Sequence, residues 1–300
     1  MIKILFFTIV FCSNSFASDL VNFTFLGTGT PRPDINKLGP SILVKYKSEE
    51  ILLDVGRGTT LRLAQVGSNF NNINNIYISH LHFDHLVGLP DLWLTSNLWQ
   101  KKTNTNVFGP KGIQEFCHNV KNSYKEDLGY RYSNQDVSQI NCHNFENNNL
   151  LSDRLIKVQS FKNSHGHIEE SYGLTVQVDS KTIVYSGDTS YSENVIKSCK
   201  RCDILIHEVI SVSDRLYNRN KKLQDVIDTH TSVKQLIKVL NSTNPKLTIL
   251  SHALLFDVTE EQVINEIKEG YSGDVLFAYD LLSVDVGKEI NIFNLNKLIK

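Results

Sequence analysis

Apolar runs and polar, glycine-containing breaks alternate along most of the chain. Val21 to Leu26 alternates with period two and reads as a strand. Ser41 to Tyr46 and Ile51 to Val55 read as a hairpin around Lys47-Ser48-Glu49-Glu50, and Ile76-Tyr77-Ile78 and Thr105 to Phe108 as further strands. Thr59 to Val66, Leu86 to Trp99 and Gly112 to Val120 carry helical spacing. From Asn119 to Asp153 the pattern dissolves into a polar, Asn-rich stretch, too long for an ordinary connection. It reads as a cover that chooses substrate or as a surface insertion. Leu155 to Phe161 resumes the strands, Tyr172 to Val178 and Lys181 to Tyr185 pair around Asp179-Ser180, and Ile204 to Ile206, Leu247 to Leu250, Val275 to Ala278 and Ser283 to Val286 follow. A helix from Ser232 to Leu240 lies among them. Strands alternating with helices predict an α/β layered fold. Similar strand sets on either side of the polar stretch suggest a duplicated half, and no linker divides the chain.

The polar residues that close these strands carry the chemistry. Four apolar strands end in metal-type or acid/base residues: His80, Asp188, His207 with Glu208, and His252. Ile78-Ser79-His80 and Leu250-Ser251-His252 are near copies. The densest cluster, His80-Leu81-His82-Phe83-Asp84-His85, packs three imidazoles and one carboxylate into six residues. On a strand His80 and His82 would point the same way, because side chains alternate. Asp84 and His85 fall where the chain turns into a helix and can aim at a second ion. Imidazole and carboxylate suit zinc, and manganese or iron can take the same ligands. A catalytic zinc keeps about three protein ligands and an open position. His80 and His82 therefore need a third nitrogen, for which His165 and His167 are the candidates. Asp84 and His85 need a partner, and His252 is available. Asp188 has two oxygens and can bridge two ions. Two cations roughly 3.5–4 Å apart can clamp the attacking and leaving oxygens of a displacement, with a shared hydroxide as nucleophile.

The remaining polar residues divide less cleanly. Asp54, closing Leu53-Asp54-Val55-Gly56, either orients a ligand histidine or caps the helix from Thr59. His207 is as readily a core histidine as a functional one, and Glu208 follows it. His230, in Thr229-His230-Thr231-Ser232, can protonate a leaving oxygen. With Asp84 it makes the pair of candidate catalytic residues. His118 and His143 read as surface residues. The loop Gly27 to Pro33 lacks the Lys-Ser/Thr of a nucleotide loop and reads as the mouth of a site. Trp93, Trp99 and Phe256 are the aromatics expected near a pocket.

Composition narrows the setting. Hydrophobic content of 41% supports a substantial core, and a net charge of −1 shows no basic excess of the kind that grips nucleic acid. Lys3, the apolar run Ile4 to Cys12 and Ser15-Phe16-Ala17 predict a signal peptide over 1–17, leaving one domain over 18–300 in an exported protein. Cys12 follows a bulky Phe11, which does not suit a lipoprotein cleavage site. No later apolar run is long enough for a membrane helix. Cys117, Cys142, Cys199 and Cys202 allow three disulfide connectivities. The lone Cys199-Lys200-Arg201-Cys202 could be a zinc half-site, a redox pair or a local staple, with a structural role favoured. The oligomeric state is open, a homodimer being one option.

On these residues the chain resembles the metallo-β-lactamase superfamily. His80-Leu-His82-Phe-Asp84-His85 matches its HxHxDH signature, and the resemblance runs from about Val21 to the C-terminus. Phe25-Leu-Gly-Thr-Gly-Thr-Pro31, Leu53-Asp54-Val-Gly, Tyr185-Ser-Gly-Asp188-Thr, His207-Glu208, His230-Thr-Ser and Ser251-His252 are similar to the branch holding ribonuclease Z and arylsulfatase/phosphodiesterase-type hydrolases. The resemblance implies a four-layer αββα sandwich with a dinuclear zinc site at one edge. One metal would take His80, His82 and His165, and the other Asp84, His85 and His252, with Asp188 between them. His165 is preferred to His167 because His165-Gly166 leads into Tyr172-Gly173-Leu174 in the family's frame. An aspartate at 188 departs from true β-lactamases of this fold, and no glycine-rich, basic arm for gripping tRNA is present. The expected activity is hydrolysis of phosphodiester or sulfate-ester bonds in small anionic substrates. A ribonuclease Z-like endonuclease acting on tRNA 3′ ends is the alternative.

Overall fold

The computed structural model describes residues 20–132, 137–145, 151 and 154–297. The expected signal peptide lies outside them. In chain order the strands are β1 (Val21–Gly27), β2 (Ser41–Tyr46), β3 (Glu49–Leu53), β4 (Ile73–Tyr77), β5 (Thr105–Gly109), β6 (Ile140–Asn144), β7 (Lys157–Lys162), β8 (Tyr172–Val178), β9 (Lys181–Tyr185), β10 (Ile204–Val212), β11 (Leu247–Phe256), β12 (Val275–Phe277), β13 (Leu282–Val286) and β14 (Ile290–Asn294). They form two sheets, in the orders β14-β13-β1-β2-β3-β4-β5-β6 and β12-β11-β10-β9-β8-β7.

The central strands of each sheet are buried on both faces, so they read as nearly continuous apolar runs. Phe23, Phe25, Leu53 and Tyr77 meet Leu174, Val176, Ile206 and Ile249 between the sheets. Neighbouring side chains point the other way: Leu52 and Ile76 pack outward under Leu63, Leu89, Trp93 and Ile113 of the helices on that side. Leu205 and Leu250 pack outward under Val233, Leu236 and Ile267. The result is the expected α/β/β/α sandwich. The helix Val233–Thr243 starts at Ser232, whose hydroxyl and Gln235 form a reciprocal cap. The two halves interlock, because β13 returns to pair with β1 of the first sheet, Phe23 opposite Val284.

The polar stretch departs from expectation. It contains a helix, Lys125–Tyr132, with no buried residue, and strand β6, which pairs parallel with β5 at the sheet edge. The short amphipathic signal of β6 is drowned by its polar flanks. None of the described residues of this stretch lines the cleft over the histidines. Cys117 and Cys142 form a disulfide that ties the helix Ile113–Ser123 to β6, and Cys199 and Cys202 form a second one. Among the described residues no helix is long and apolar enough to cross a membrane.

Candidate metal centre

β4 ends at Tyr77, so His80 and His82 sit in an extended loop rather than on a strand. Strand alternation is therefore not what aims them. His82 lies at the start of the short helix Phe83–Leu86 and turns Nδ1 inward, 2.9 Å from His80 Nε2. His165 Nε2 comes within 3.4 Å of the same His82 nitrogen. His167 stays exposed on the cleft rim and outside this cluster. The glycine after His165 has φ +57, and a Cβ there would meet Thr229 Cγ2 at 2.2 Å. The positive φ and this close approach together suit only glycine.

His207, Glu208 and His252 do not end their strands, as expected from the sequence, but sit inside them. Between His207 and Val209 of β10 the register against β11 slips, since these pair with Leu250 and Ala253. That leaves one extra residue on β11, a bulge. His252 occupies it in the left-handed region, φ +56, and its ring turns to the site. Bulges re-aim side chains in this way while the strand continues. Asp188 follows β9 through Gly187, also left-handed at φ +58.

The donor atoms gather in two groups: His80, His82, His165 and Asp188, and Asp84, His85 and His252, with the atoms of each group within 4.8 Å of one another. Asp188 joins them. Its Oδ1 lies 3.5 Å from His85 Nε2, and its Oδ2 lies 3.1 Å from His252 Nε2 and 3.7 Å from His80 Nε2. Asp84 Oδ2 is 3.6 Å from His85 Nε2 and 3.9 Å from His252 Nε2.

Four of the imidazoles are fixed from behind through Nδ1, leaving Nε2 facing inward. His85 Nδ1 pairs with Asp54 at 2.8 Å, His165 Nδ1 with the Thr229 carbonyl at 2.7 Å, and His252 Nδ1 with the Gly29 carbonyl at 2.7 Å. His80 Nδ1 meets Ser79 Oγ at 3.0 Å. A carbonyl can only accept, so His165 and His252 carry their proton on Nδ1 and present an Nε2 lone pair when neutral. Asp54 is fully buried and accepts from Ser79 N, Ser79 Oγ and Tyr185 OH besides facing His85. It makes no cap: the helix Thr59–Gln65 begins at Gly58 with no side-chain cap bond.

The electrostatics separate the two groups. Burial, with neighbouring His85, holds His80 well below the usual imidazole range, and burial also lowers His82 and His165. Burial thus favours the neutral form with a free lone pair for all three. Burial opposes charge on His85 and His252 too, but Asp188 outweighs it for both and, with Asp54 beside His85, raises them. Burial likewise would raise Asp188, yet His252 and His85 hold it well below the carboxylate range.

The donor set fits divalent cations, as its own unmet bonds show. Asp84 Oδ2, His85 Nε2 and Asp188 Oδ1 are buried without a hydrogen-bond partner. Orphaned buried polar atoms are costly unless something binds them. Three are grouped here, among imidazole nitrogens and carboxylate oxygens of the kind zinc takes.

His230 stands over this cluster, its ring centroid 4.9 Å from that of His165. Its Nδ1 lies 3.3 Å from Glu208 Oε2, and Glu208 Oε1 accepts from Thr231 N at 2.7 Å. Burial would lower His230, but Glu208 outweighs it and pushes it up to about 9. His207 stays out: its Nδ1 donates to the Glu208 carbonyl at 2.6 Å, and burial lowers its pKa. It is a buried histidine that belongs to neither donor group. Trp93 is also core, and Trp99 is exposed against Phe70, whereas Phe256 does line a cavity beside the site.

Several contributors gave no usable signal in the sequence. The Thr229 and Gly29 carbonyls have no side-chain signature. Asp280 did have one: it follows the apolar run Val275 to Tyr279 as Asp54 follows Ile51 to Leu53. Its carboxylate accepts from Thr28 N and Oγ1, Leu38 N and Arg62 Nη2, and so holds the loop whose Gly29 carbonyl anchors His252.

Comparison with known proteins agrees with this architecture. A family model described as "Anti-Pycsar protein Apyc1" matches residues 21–253. Ribonuclease Z of Mycobacterium bovis strain BCG is 26% identical over 276 residues, covering 89% of this chain and 99% of that protein. Among solved structures, the metallo-β-lactamase fold protein YhfI of Bacillus subtilis superposes with a TM-score of 0.72 at 18% identity, over 89% of this chain and 100% of that one. Human tRNase Z, short form, gives 0.67 at 22% identity, over 89% and 99%. With the family model covering most of its length, the chain belongs to the Anti-Pycsar protein Apyc1 family, within the metallo-β-lactamase superfamily of hydrolases.

Proposed function

We propose that this protein is an exported, dinuclear zinc hydrolase that cleaves a phosphodiester, or a sulfate ester, in small anionic substrates. The observation that carries this reading is the Asp188 carboxylate, set between two donor groups with one oxygen 3.5 Å from His85 and the other 3.1 Å from His252. His80, His82 and His165 would hold one ion, Asp84, His85 and His252 the other, and Asp188 would touch both. Two bound ions would supply positive charge for the anionic centre and lower the pKa of the attacking water. The acceptors behind Nδ1 keep His85, His165 and His252 in the right tautomer without rearrangement. His230, held protonated by Glu208, donates its proton to the leaving oxygen as the ester bond breaks, and regains it from solvent. The two disulfides support an oxidising compartment, in keeping with export.

The test is hydrolysis of aryl phosphodiesters and aryl sulfates by purified protein, with zinc counted per chain. Chelation and Asp84→Ala should each abolish turnover, and zinc should restore the chelated wild type. His230→Ala should cost about 10²–10⁴-fold on an alkyl leaving group and much less on p-nitrophenolate, which needs no proton. Full activity in metal-free protein would refute the reading.

A second reading, an endonuclease acting on tRNA 3′ ends, draws support from the similarity to Ribonuclease Z over 89% of the chain. Accurate cleavage of a tRNA precursor, with affinity falling steeply as salt rises, would favour it over the small-ester reading.

A further inference from the structure

Beside the cleft over the histidines lies a second cavity of about 370 Å³, and Pro31 and Leu254 wall both. One side of this cavity is the loop after β1, and the other is the end of β11 directly after His252. The loop is firmly built. Asp280 is 2% exposed and grips Thr28 at the loop's start and Leu38 at its end. Gly29 N donates to the Leu38 carbonyl at 2.7 Å, and a Cβ on Gly29 would meet Lys37 O at 2.2 Å. Only glycine allows the two arms of the loop to lie so close.

Arg32 projects from this loop, and its guanidinium lies 4.2 Å over the centroid of the Phe256 ring. Phe256 is buried, whereas Arg32 is exposed to the cavity. Stacking on an aromatic face fixes a guanidinium while leaving its in-plane N–H donors free for a second partner. Among the described residues no carboxylate forms an ion pair with Arg32. Of the other charged groups of this wall, Lys37 Nζ pairs with Glu260 at 2.6 Å, and Asp34, exposed at the rim, turns Oδ1 to Asn36 N at 2.9 Å. A fixed guanidinium fork without a partner is suited to two oxygens of an oxyanion.

We propose that this cavity is an anion subsite, in which Arg32, held by Phe256, selects esters whose non-leaving substituent carries a second carboxylate or phosphate. The proposal rests on the phosphodiesterase reading and adds the substrate class. The cavity volume admits one small ring with its anionic group.

The test uses a size-matched pair of diesters with one leaving group: 4-carboxyphenyl p-nitrophenyl phosphate and its neutral 4-carbamoylphenyl counterpart. Zinc-loaded wild type should show a kcat/KM about 10-fold higher for the carboxylate, as one charge-assisted contact gives. In Arg32→Ala the ratio of the two should fall to about one, whatever the absolute rates, and Arg32→Lys should restore part of it. Phe256→Leu should lower the ratio as well, because the guanidinium loses its support. A ratio near unity in wild type, or one unchanged in Arg32→Ala, overturns the subsite. Failure of wild type to hydrolyse either ester would instead count against the phosphodiesterase reading. Calorimetric binding of the carboxylate ester to wild type and Arg32→Ala then decides the subsite independently: equal affinity overturns it, weaker binding by the variant upholds it.

Discussion

Asp54→Asn is the sharpest probe of how the second donor group is held. The wild-type carboxylate uses Oδ1 for Ser79 N at 2.7 Å, and Oδ2 for Ser79 Oγ at 2.9 Å, Tyr185 OH at 2.6 Å and His85 Nδ1 at 2.8 Å. Asparagine keeps one acceptor and turns the other oxygen into a donor of the same size. The two hydroxyls can rotate and accept instead. His85 has no such freedom: an NH₂ group facing Nδ1 forces the imidazole proton onto Nε2, the atom that should ligate. Loss of such an orienting partner typically costs 10–100-fold in metal affinity, roughly 1.4–2.7 kcal/mol. The loss should fall on the Asp84/His85/His252 side, since no ligand of the other group touches Asp54 directly. Chelator titration monitored by a zinc indicator should therefore show one tight and one weakened ion, and turnover should follow the weakened one. Two ions held as tightly as in wild type would refute the tautomer reasoning; equal weakening of both would mean that the substitution disturbs the whole edge.

Other outcomes follow from single buried groups. Asp280→Asn leaves Leu38 N and the Arg62 guanidinium without their oxygen and should cost about 3 kcal/mol in denaturant unfolding, with a weakened second ion because Gly29 loses its hold on His252. Lys101 is 3% exposed and donates to the carbonyls of Phe70, Asn71 and Ile73, so Lys101→Met should destabilise by about 2–3 kcal/mol. Burial lowers Lys101 to about 8. The unfolded chain then binds the extra proton above that pH, so wild-type stability should rise from about pH 8 toward 10.4, with a slope that the Met variant lacks. His85 and His252 are raised and must shed protons to bind metal, whereas burial lowers His80, His82 and His165. Zinc competition across neutral pH should show the second ion binding more tightly as pH rises and the first changing little.

Much of the layer architecture was legible because burial on both faces writes long apolar runs into the strands. Leu52 and Leu53 go to opposite cores, and neither can be polar. The exceptions have a common cause. β6 is a short edge strand whose Asn144 and His143 face solvent, so little hydrophobic pattern marks it. Its place is set by pairing with β5 and by the Cys117–Cys142 bridge, both long-range. The ends of β10 and β11 were misplaced because a bulge permits polar residues inside a strand, and local pattern cannot tell a bulge from an end.

The sequence by itself determined which chemistry is available: imidazoles and carboxylates at apolar-strand boundaries, in a spacing that few structures other than metal sites require. Tertiary structure alone decided how each group is aimed. His82 enters through Nδ1 and His80 through Nε2, from a loop rather than a strand. His165 stands in the cluster and His167 on its rim, and Asp54 turns to His85 rather than to a helix end. These choices depend on backbone carbonyls, on a left-handed bulge at His252 and on the Asp280-held loop. Such anchors act across more than two hundred residues of chain between Gly29 and His252. Sequence records which side chains are present, whereas the direction of a lone pair is set by whatever the fold places behind it.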